Sequence, residues 1–362
     1  MRLQWRVARV LIVEEGWAQT IPLAHALEAS GHAVTVVTAN GGHAAYTQGA
    51  VHWRGCPAAD HPELVPALDR LVRDRGFDHV LPMTEAVMAR LWQARPAWSP
   101  RIYPATDAFQ RALLGDKRSM VEHMAAHGMP VPRRAALADA AALGYPLVVK
   151  GATGAGGARV RIVEAAGQLA AVLREVDALG GAWSVQELIR GPTYLFGGLF
   201  DGGRPLRIYA GEKLAQHPPR TGPAVRLRSD DDPALLALGL RVMRALRWTG
   251  FASADFVRAP DGRYVFLEVN PRLWGSIAAA RAAGVDLFAP FAALLAGRAP
   301  APDLAFVANQ DCHIFPRYLL SPSYWRPAGA LRAIRDLLGA PGRDWRDVAA
   351  VRHAVNRLRR PR

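Results

Sequence analysis

Asp255, Glu268 and Asn270 are residues whose types and spacing could do chemistry together. They lie in two apolar-rich runs, FASADFV and RYVFLEVN, on either side of Asp261-Gly262, and an Asp-Gly pair between such runs predicts a hairpin with a two-residue loop. With that loop, Pro260 faces Arg263, and counting back along both strands puts Asp255 opposite Glu268 with their Cβ atoms about 5 Å apart. Pro260 counts against so tight a loop. Facing carboxylates are unfavourable unless something positive lies between them, so the pairing calls for a cation. Strand alternation puts Asn270 on the face of Glu268. Two carboxylates and an amide oxygen, with no Cys or His nearby, suit a hard ion such as Mg²⁺, which takes its remaining ligands from water and substrate phosphates. A nucleotide is therefore the expected partner. Arg272, just beyond, supplies a guanidinium fork that fits a phosphate or a carboxylate. The competing reading is an edge hairpin with solvated acids and a Pro-Arg turn.

A second stretch, YPLVVKGATGAGGARVRIV, runs an apolar strand into Lys150, then a loop with Gly154, Gly156 and Gly157, then another strand. Small-residue loops expose backbone N–H groups to oxyanions, and Lys150 adds a point charge. A Walker A loop is excluded, because there the lysine follows the glycines and opens a helix. The alternative is a merely mobile hairpin. A third stretch, WSVQELIRG, is a strand entering a turn, where Gln186, Glu187, Leu188 and Ile189 could grip an adenine between apolar side chains and polar edge groups.

The elements that must position these groups follow from periodicity. Val7 to Val13 reads as a buried strand, AQTIPLAHALEAS as a helix stopped at Gly31, and Ala33 to Thr38 as a second strand. This βαβ opening implies parallel strands, and it lacks the G-x-G-x-x-G of a dinucleotide fingerprint. Leu64 to Arg75 reads as an amphipathic helix and HVLPMTEAVMARLW as strand, turn and helix, closing a first unit near Pro104. Asp116 is a candidate N-cap for a helix that begins at Lys117, with Met120, Met124 and Met129 on its core face. The segment TYLFGGLFDGGRPLRIYAGEKLAQ gives two strands around Asp201-Gly202-Gly203 and a third that contains Lys213. Further helices are expected at ALLALGLRVMRALRW, Ser276 to Ala283, Leu331 to Leu338 and Trp345 to Leu358.

At 362 residues, 51% hydrophobic, the chain has room for two or three packed units. No run approaches the ~18 apolar residues of a membrane span, and the start of the chain lacks the apolar core and cleavage site of a signal peptide, so a cytoplasmic location is expected. Cys56 and Cys312 match no metal or redox spacing. A net charge of +14 favours anionic partners, but the excess is mostly arginine spread along the chain, and no basic run interleaved with aromatics points to nucleic acid.

Lys117, Lys150 before a glycine-rich loop, QELIRG, Asp255, and Glu268-Val-Asn270-Pro-Arg272, in that order, together resemble the ATP-grasp superfamily. The match covers residues 105 to 300. The resemblance implies a mixed α/β and α+β chain. It consists of a Rossmann-like βαβ pre-ATP-grasp domain over 1–104, a two-lobed ATP-grasp domain over 105–300 with a mobile lid at about 117–188, and a helical Arg/Pro-rich extension over 301–362. It implies ATP with Mg²⁺, Mn²⁺ being able to substitute, and an acyl phosphate made from a small-molecule carboxylate and captured by an amine or thiol, with a carrier protein and a second copy of the chain as open partners. Carried over by position, Lys117 and Lys150 resemble phosphate-contacting lysines, Gly154 to Gly157 the lid loop, Gln186 to Ile189 the adenine hinge, and Asp255, Glu268 and Asn270 the magnesium ligands. Arg272 resembles the arginine that steadies the acyl phosphate, and Lys213 a further basic group facing the phosphates. Two departures stand out. Gly191 to Tyr194 occupy the place of a ribose-binding acid, and Ser253 stands where peptide-ligating members carry an arginine. The rival functions are a carboxylase-like activation of bicarbonate and a non-catalytic nucleotide- or polyanion-binding module. His217, Trp274, Arg281, Arg226 and Tyr318 are candidates to border the acceptor or donor pocket.

Overall fold

The computed structural model describes residues 7–16, 19–39, 51–53, 55–152 and 159–314. The expected helices at Leu331 to Leu338 and Trp345 to Leu358 lie outside these residues, as do Gly154, Gly156, Gly157 and Tyr318.

The chain opens with β1 (Arg9–Glu14), α1 (Thr20–Ala29), β2 (Ala33–Thr38) and β3 (Val51–Trp53), then α2 (Leu64–Arg75), β4 (His79–Pro82) and α3 (Glu85–Ala94). Its four strands form a parallel sheet in the order β3-β2-β1-β4. The unbroken apolar runs of β1 and β2 make sense there, because a parallel sheet is covered on both faces. One face packs on α2 and α3 through Leu64, Leu68, Val72, Val87 and Leu91. The other meets α1 and, beyond it, residues of the second half of the chain.

Two short helices lead on. In α4 (Ala108–Gly115) Asp107 and Gln110 form a reciprocal capping box. In α5 (Lys117–Ala126) Asp116 is the N-cap, accepting from the Arg118 N–H, and Met120, Met124 and Met129 are buried. A small antiparallel sheet follows, built from β5 (Arg134–Ala135), β6 (Leu147–Gly151), β7 (Val160–Val163) and β8 (Trp183–Glu187) in the order β5-β8-β6-β7. With α6 (Ala166–Leu179) it holds a modest apolar cluster of its own, including Leu147, Val149, Val163, Val176 and Val185.

The remaining strands are β9 (Thr193–Asp201), β10 (Arg204–Gln216), β11 (Ala224–Ser229), β12 (Gly250–Arg258), β13 (Tyr264–Asn270) and β14 (Asp311–His313). They form an antiparallel sheet in the order β13-β12-β9-β10-β11-β14. The expected third strand around Lys213 is not separate, since β10 runs unbroken through Gly211. Glycine is required there by packing: a Cβ would lie 2.7 Å from the Tyr209 hydroxyl and 2.6 Å from the Arg228 carbonyl oxygen. One face of this sheet is covered by α5 and α7 (Pro233–Ala245) over Phe196, Phe200, Phe256 and Phe266. The other is covered by α8 (Ile277–Ala282) and α9 (Phe288–Leu295), whose apolar residues join those of α1 and the parallel sheet in a single cluster. The chain is thus mixed α/β and α+β.

Candidate active site

The β12–β13 hairpin brings the two acids together by a different route from the simple count. The turn is a three-residue loop, Pro260-Asp261-Gly262, in which the Ala259 N–H donates to the Arg263 carbonyl at 2.8 Å and the Gly262 N–H to the Ala259 carbonyl at 2.8 Å. Gly262 sits at φ 85°, the left-handed position that closes such a loop. This shifts the register by one: Arg258 faces Tyr264 and Phe256 faces Phe266. A β-bulge then absorbs one residue, Leu267, and restores the pairing of Asp255 with Glu268 and of Ser253 with Asn270. The two-residue loop was the wrong expectation and the facing acids the right one, because loop and bulge offset each other.

Each acid meets a lysine. Lys213 Nζ lies 2.6 Å from Asp255 Oδ2, and Lys117 Nζ 2.8 Å from Glu268 Oε2. Lys213 reaches across from β10, while Lys117 is the first residue of α5, held by the Asp116 cap. The two carboxyls titrate apart. Burial raises Asp255 above the ordinary aspartate value despite Lys213, with Glu268 pushing the same way. Burial also opposes the charge on Glu268, yet Lys117 and Lys150 hold that carboxyl at about 2. Lys117 is pressed down by burial but ends above the ordinary lysine value because of Glu268, with Glu85 and Asp255 adding to the effect. Asp255 Oδ1 is buried and accepts no hydrogen bond. An unsatisfied carboxylate oxygen beside a second acid and Asn270 fits a hard divalent ion bound through oxygen. Among the described residues no group of three or more His, Cys, Asp or Glu gathers as a metal cluster, so the fit rests on this two-acid, one-amide set.

The small sheet supplies the opposite wall. Lys150, at the end of β6, is 8% exposed and points to the bulge, donating to the Leu267 carbonyl at 3.4 Å. Burial brings its pKa down to about 8, against the pull of Glu268 and with Lys117 and Arg134 adding like charge. Gln186 pairs with Val148 on β6, is buried, and its Oε1 has no hydrogen-bond partner. Glu187 is differently engaged, its carboxylate gripping Arg133 through the Arg133 N–H at 2.8 Å and Nε at 2.7 Å. The Glu187 N–H donates to the Arg133 carbonyl and the Leu188 N–H to the Pro146 carbonyl. Leu188 and Ile189 are half-buried.

Arg272 follows the last strand and donates from Nη2 to Asn270 Oδ1 at 3.3 Å, while its Nε lies 3.1 Å from Glu85 Oε1. Glu85 and Arg134 are two site neighbours that reading the sequence did not single out. Nothing local marks Glu85, the first residue of α3, whereas the charge of Arg134 beside the Lys117 helix is visible but indistinguishable from many other arginines. Ser253 and Trp274 lie near Gly197 on the same face as Asp255, both buried, with Ser253 Oγ and Trp274 Nε1 unpartnered. Arg226 pairs with Asp311 at the far edge of the sheet, and Arg281 sits over the Phe288 ring. The His217 N–H bonds the Pro223 carbonyl within the β10–β11 loop.

Two antiparallel sheets, the small one bringing Lys150 and the large one the paired acids with Lys213, follow a parallel α/β unit and give the chain an α+β second half. Residues 114–276 match the model of a family described as ATP-grasp domain, and that part of the chain is an ATP-grasp domain. The fold is similar to that of a biotin carboxylase from Campylobacter jejuni, solved as a β,γ-ATP complex (18% identity, 85% of this chain and 75% of that one, TM-score 0.68). It is also similar to the biotin carboxylase domain of 2-oxoglutarate carboxylase from Hydrogenobacter thermophilus, solved with MgADP, ADP and bicarbonate (17% identity, 84% and 73%, TM-score 0.66). An L-amino acid ligase from Bacillus licheniformis matches at 19% identity over 80% of this chain and 75% of that one, with a TM-score of 0.64.

Proposed function

We propose that the protein is an ATP-dependent carboxylate–amine or carboxylate–thiol ligase of small-molecule or peptide biosynthesis, working through an acyl phosphate and releasing ADP and phosphate. The observation that carries this reading is the facing pair Asp255 and Glu268, each with its own lysine, and the buried Asp255 Oδ1 left without a partner. The proposed organisation is a pre-ATP-grasp domain over 1–104, the ATP-grasp domain over 105–300 with its lid at about 117–188, and an extension over 301–362, in the cytoplasm.

In this reading Lys117 and Lys150 receive the phosphates, and Gly154, Gly156 and Gly157 close over them. Gln186 to Ile189 hold the adenine, and the unsatisfied Gln186 Oε1 suits the hydrogen of an amino group. Asp255, Glu268 and Asn270 would hold Mg²⁺, which when bound neutralises charge on the phosphate oxygens. The donor's carboxylate oxygen, steadied by Arg272 and Lys213, attacks the γ-phosphorus, and the bond to the β-phosphate oxygen breaks with its electron pair leaving on ADP. The acyl phosphate then yields its acyl group to the amine or thiol, and phosphate departs. No side-chain nucleophile is needed. Excluding water protects the mixed anhydride from hydrolysis.

The test is ADP release over a panel of carboxylates offered with amines, thiols and amino acids. Asp255→Asn and Glu268→Gln should each lower every positive signal by at least about 100-fold, as loss of a preorganised charge at the reacting phosphates implies. Full activity in both variants would remove the metal assignment. ADP release that needs bicarbonate and no other carboxylate would instead favour a carboxylase-like enzyme.

A further inference from the structure

Three of the cations around the acids, Lys117, Lys213 and Arg272, are each matched to a carboxylate, and one of these matches comes from outside the ATP-grasp domain. Lys117 with Glu268 and Lys213 with Asp255 both lie within residues 114–276. The third pair is Arg272 with Glu85, and Glu85 belongs to the parallel unit at the start of the chain.

The Arg272 side chain is only 9% exposed, so its charge needs a compensating partner. Glu85 provides it from a fixed base. It is the first residue of α3, whose N-cap Thr84 accepts from the Val87 N–H, and the preceding strand is locked into the parallel sheet, with the Met83 N–H donating to the Val13 carbonyl at 3.0 Å. Beside this contact Gln19 Nε2 donates to the Gly275 carbonyl at 2.9 Å, fastening the segment after Arg272 to the same unit. With Nε ion-paired to Glu85 at 3.1 Å and Nη2 donating to Asn270 at 3.3 Å, the planar guanidinium is held from two sides.

We propose that Glu85 is a positioning residue for Arg272, so that the acyl-phosphate end of the site is complete only with the N-terminal unit in place. This rests on the ligase reading for the role of Arg272, but the contact itself can be tested without it. Glu85 would touch no reacting atom. Its effect would pass through the orientation of one side chain and would therefore fall on the acyl group rather than on the nucleotide.

The test has two arms. In the first, full-length protein is assayed for ATP formation from ADP and acetyl phosphate, in which the phosphoryl group moves to ADP and acetate leaves. Glu85→Gln should lower kcat/KM for acetyl phosphate by about 10- to 100-fold, the scale of a misdirected catalytic group, and leave KM for ADP within about twofold. Glu85→Asp should recover part of the loss. Adding Glu85→Gln to Arg272→Met should cost nothing more, because the residue that it positions has gone. The second arm reads the Arg272 Nε–H by NMR in arginine-labelled protein, assigned by its disappearance in Arg272→Lys. A slowly exchanging signal in the wild type that is lost in Glu85→Gln supports the proposal, and one that persists overturns it. Equal loss for ADP and acetyl phosphate, or full additivity with Arg272→Met, would also overturn it. A wild-type protein that makes no ATP counts against the ligase reading alone, and the NMR arm still decides the role of Glu85.

Discussion

Lys150 is a residue at which the proposed function and stability pull against each other. Its pKa stands at about 8 against an ordinary value of 10.5, with burial as the first cause, so the folded state holds this charge at a cost. Below pH 8 the cost is fully present. Between pH 8 and 10.5 the unfolded chain binds more protons than the folded one, so this site's contribution to stability improves as pH rises through that window. Lys150→Met should therefore stabilise the protein near neutral pH by roughly 1–3 kcal/mol, and the advantage should shrink toward about pH 10. Under the proposed function the same variant should also lose most of its affinity for ATP, since the charge next to Glu268 that would receive the phosphates has gone. Urea titrations at the two pH values and calorimetric ATP binding check this; a variant less stable than the wild type at neutral pH would show that the lysine is favourably buried. The residue types at the acid pair were readable without coordinates because alternation and a turn signal are local. The pairing of Glu187 with Arg133 and that of Glu85 with Arg272 were not, because the partner of Glu187 lies across a strand pair and Glu85 comes from another sheet.

At the level of elements, strand and helix positions followed from periodicity wherever one face is buried. Ala33–Thr38, Leu64–Arg75 and the Asp116-capped helix are where the pattern puts them. The hairpin shows what periodicity does not resolve. A bulge leaves no trace in composition, since Leu267 looks like any other strand residue, and the extra loop residue Pro260 was visible only as a reason for doubt. Gly211 is the same lesson in reverse, a glycine that marks close packing rather than a strand end. Gly239 in α7 lets two physical effects be weighed. Alanine is the better helix former by about 1 kcal/mol. Yet a Cβ there would sit 2.3 to 2.6 Å from the ring carbons of Phe196, a fully buried side chain on β9. Overpacking of that kind costs about 1–3 kcal/mol, and contacts this short belong at the upper end. Gly239→Ala should therefore lower the Tm by several degrees while helix content by circular dichroism stays the same. A rise in Tm would mean that the helix can move off the sheet and propensity decides.

Across the whole molecule, the cores predict which parts unfold together. Leu23, Leu27 and Val36 of the parallel unit share one apolar cluster with Leu199, Phe251, Phe288, Phe291 and Leu295 of the second half. The seam is also hydrogen-bonded, His32 Nε2 to the Ala292 carbonyl at 3.0 Å and His79 Nε2 to that of Leu295 at 2.9 Å. The small sheet has its own short list of core residues and meets the large one through sparse polar contacts, among them Lys150 with Leu267 and Glu164 with Arg220, the latter at 2.7 Å. A boundary drawn from sequence at Pro104 separates two stretches that share one core, because composition and motif spacing say nothing about which faces of α1 and α9 meet. Native-state hydrogen exchange in rising urea should show the amides of β6, β7 and β8 opening first, in a sub-global step. Those of β1, β4, β9 and β12 should exchange together at the global free energy. Phe291→Ala, which truncates a ring 4.4 Å from that of Phe251, should lower the stability of both large sheets by the same amount, about 3–5 kcal/mol, and leave the opening of the small sheet unchanged. Were the parallel strands to exchange well before β9 and β12, the shared cluster would be a docking surface between separately folding units. The N-terminal unit could then leave without unfolding the site that Glu85 completes.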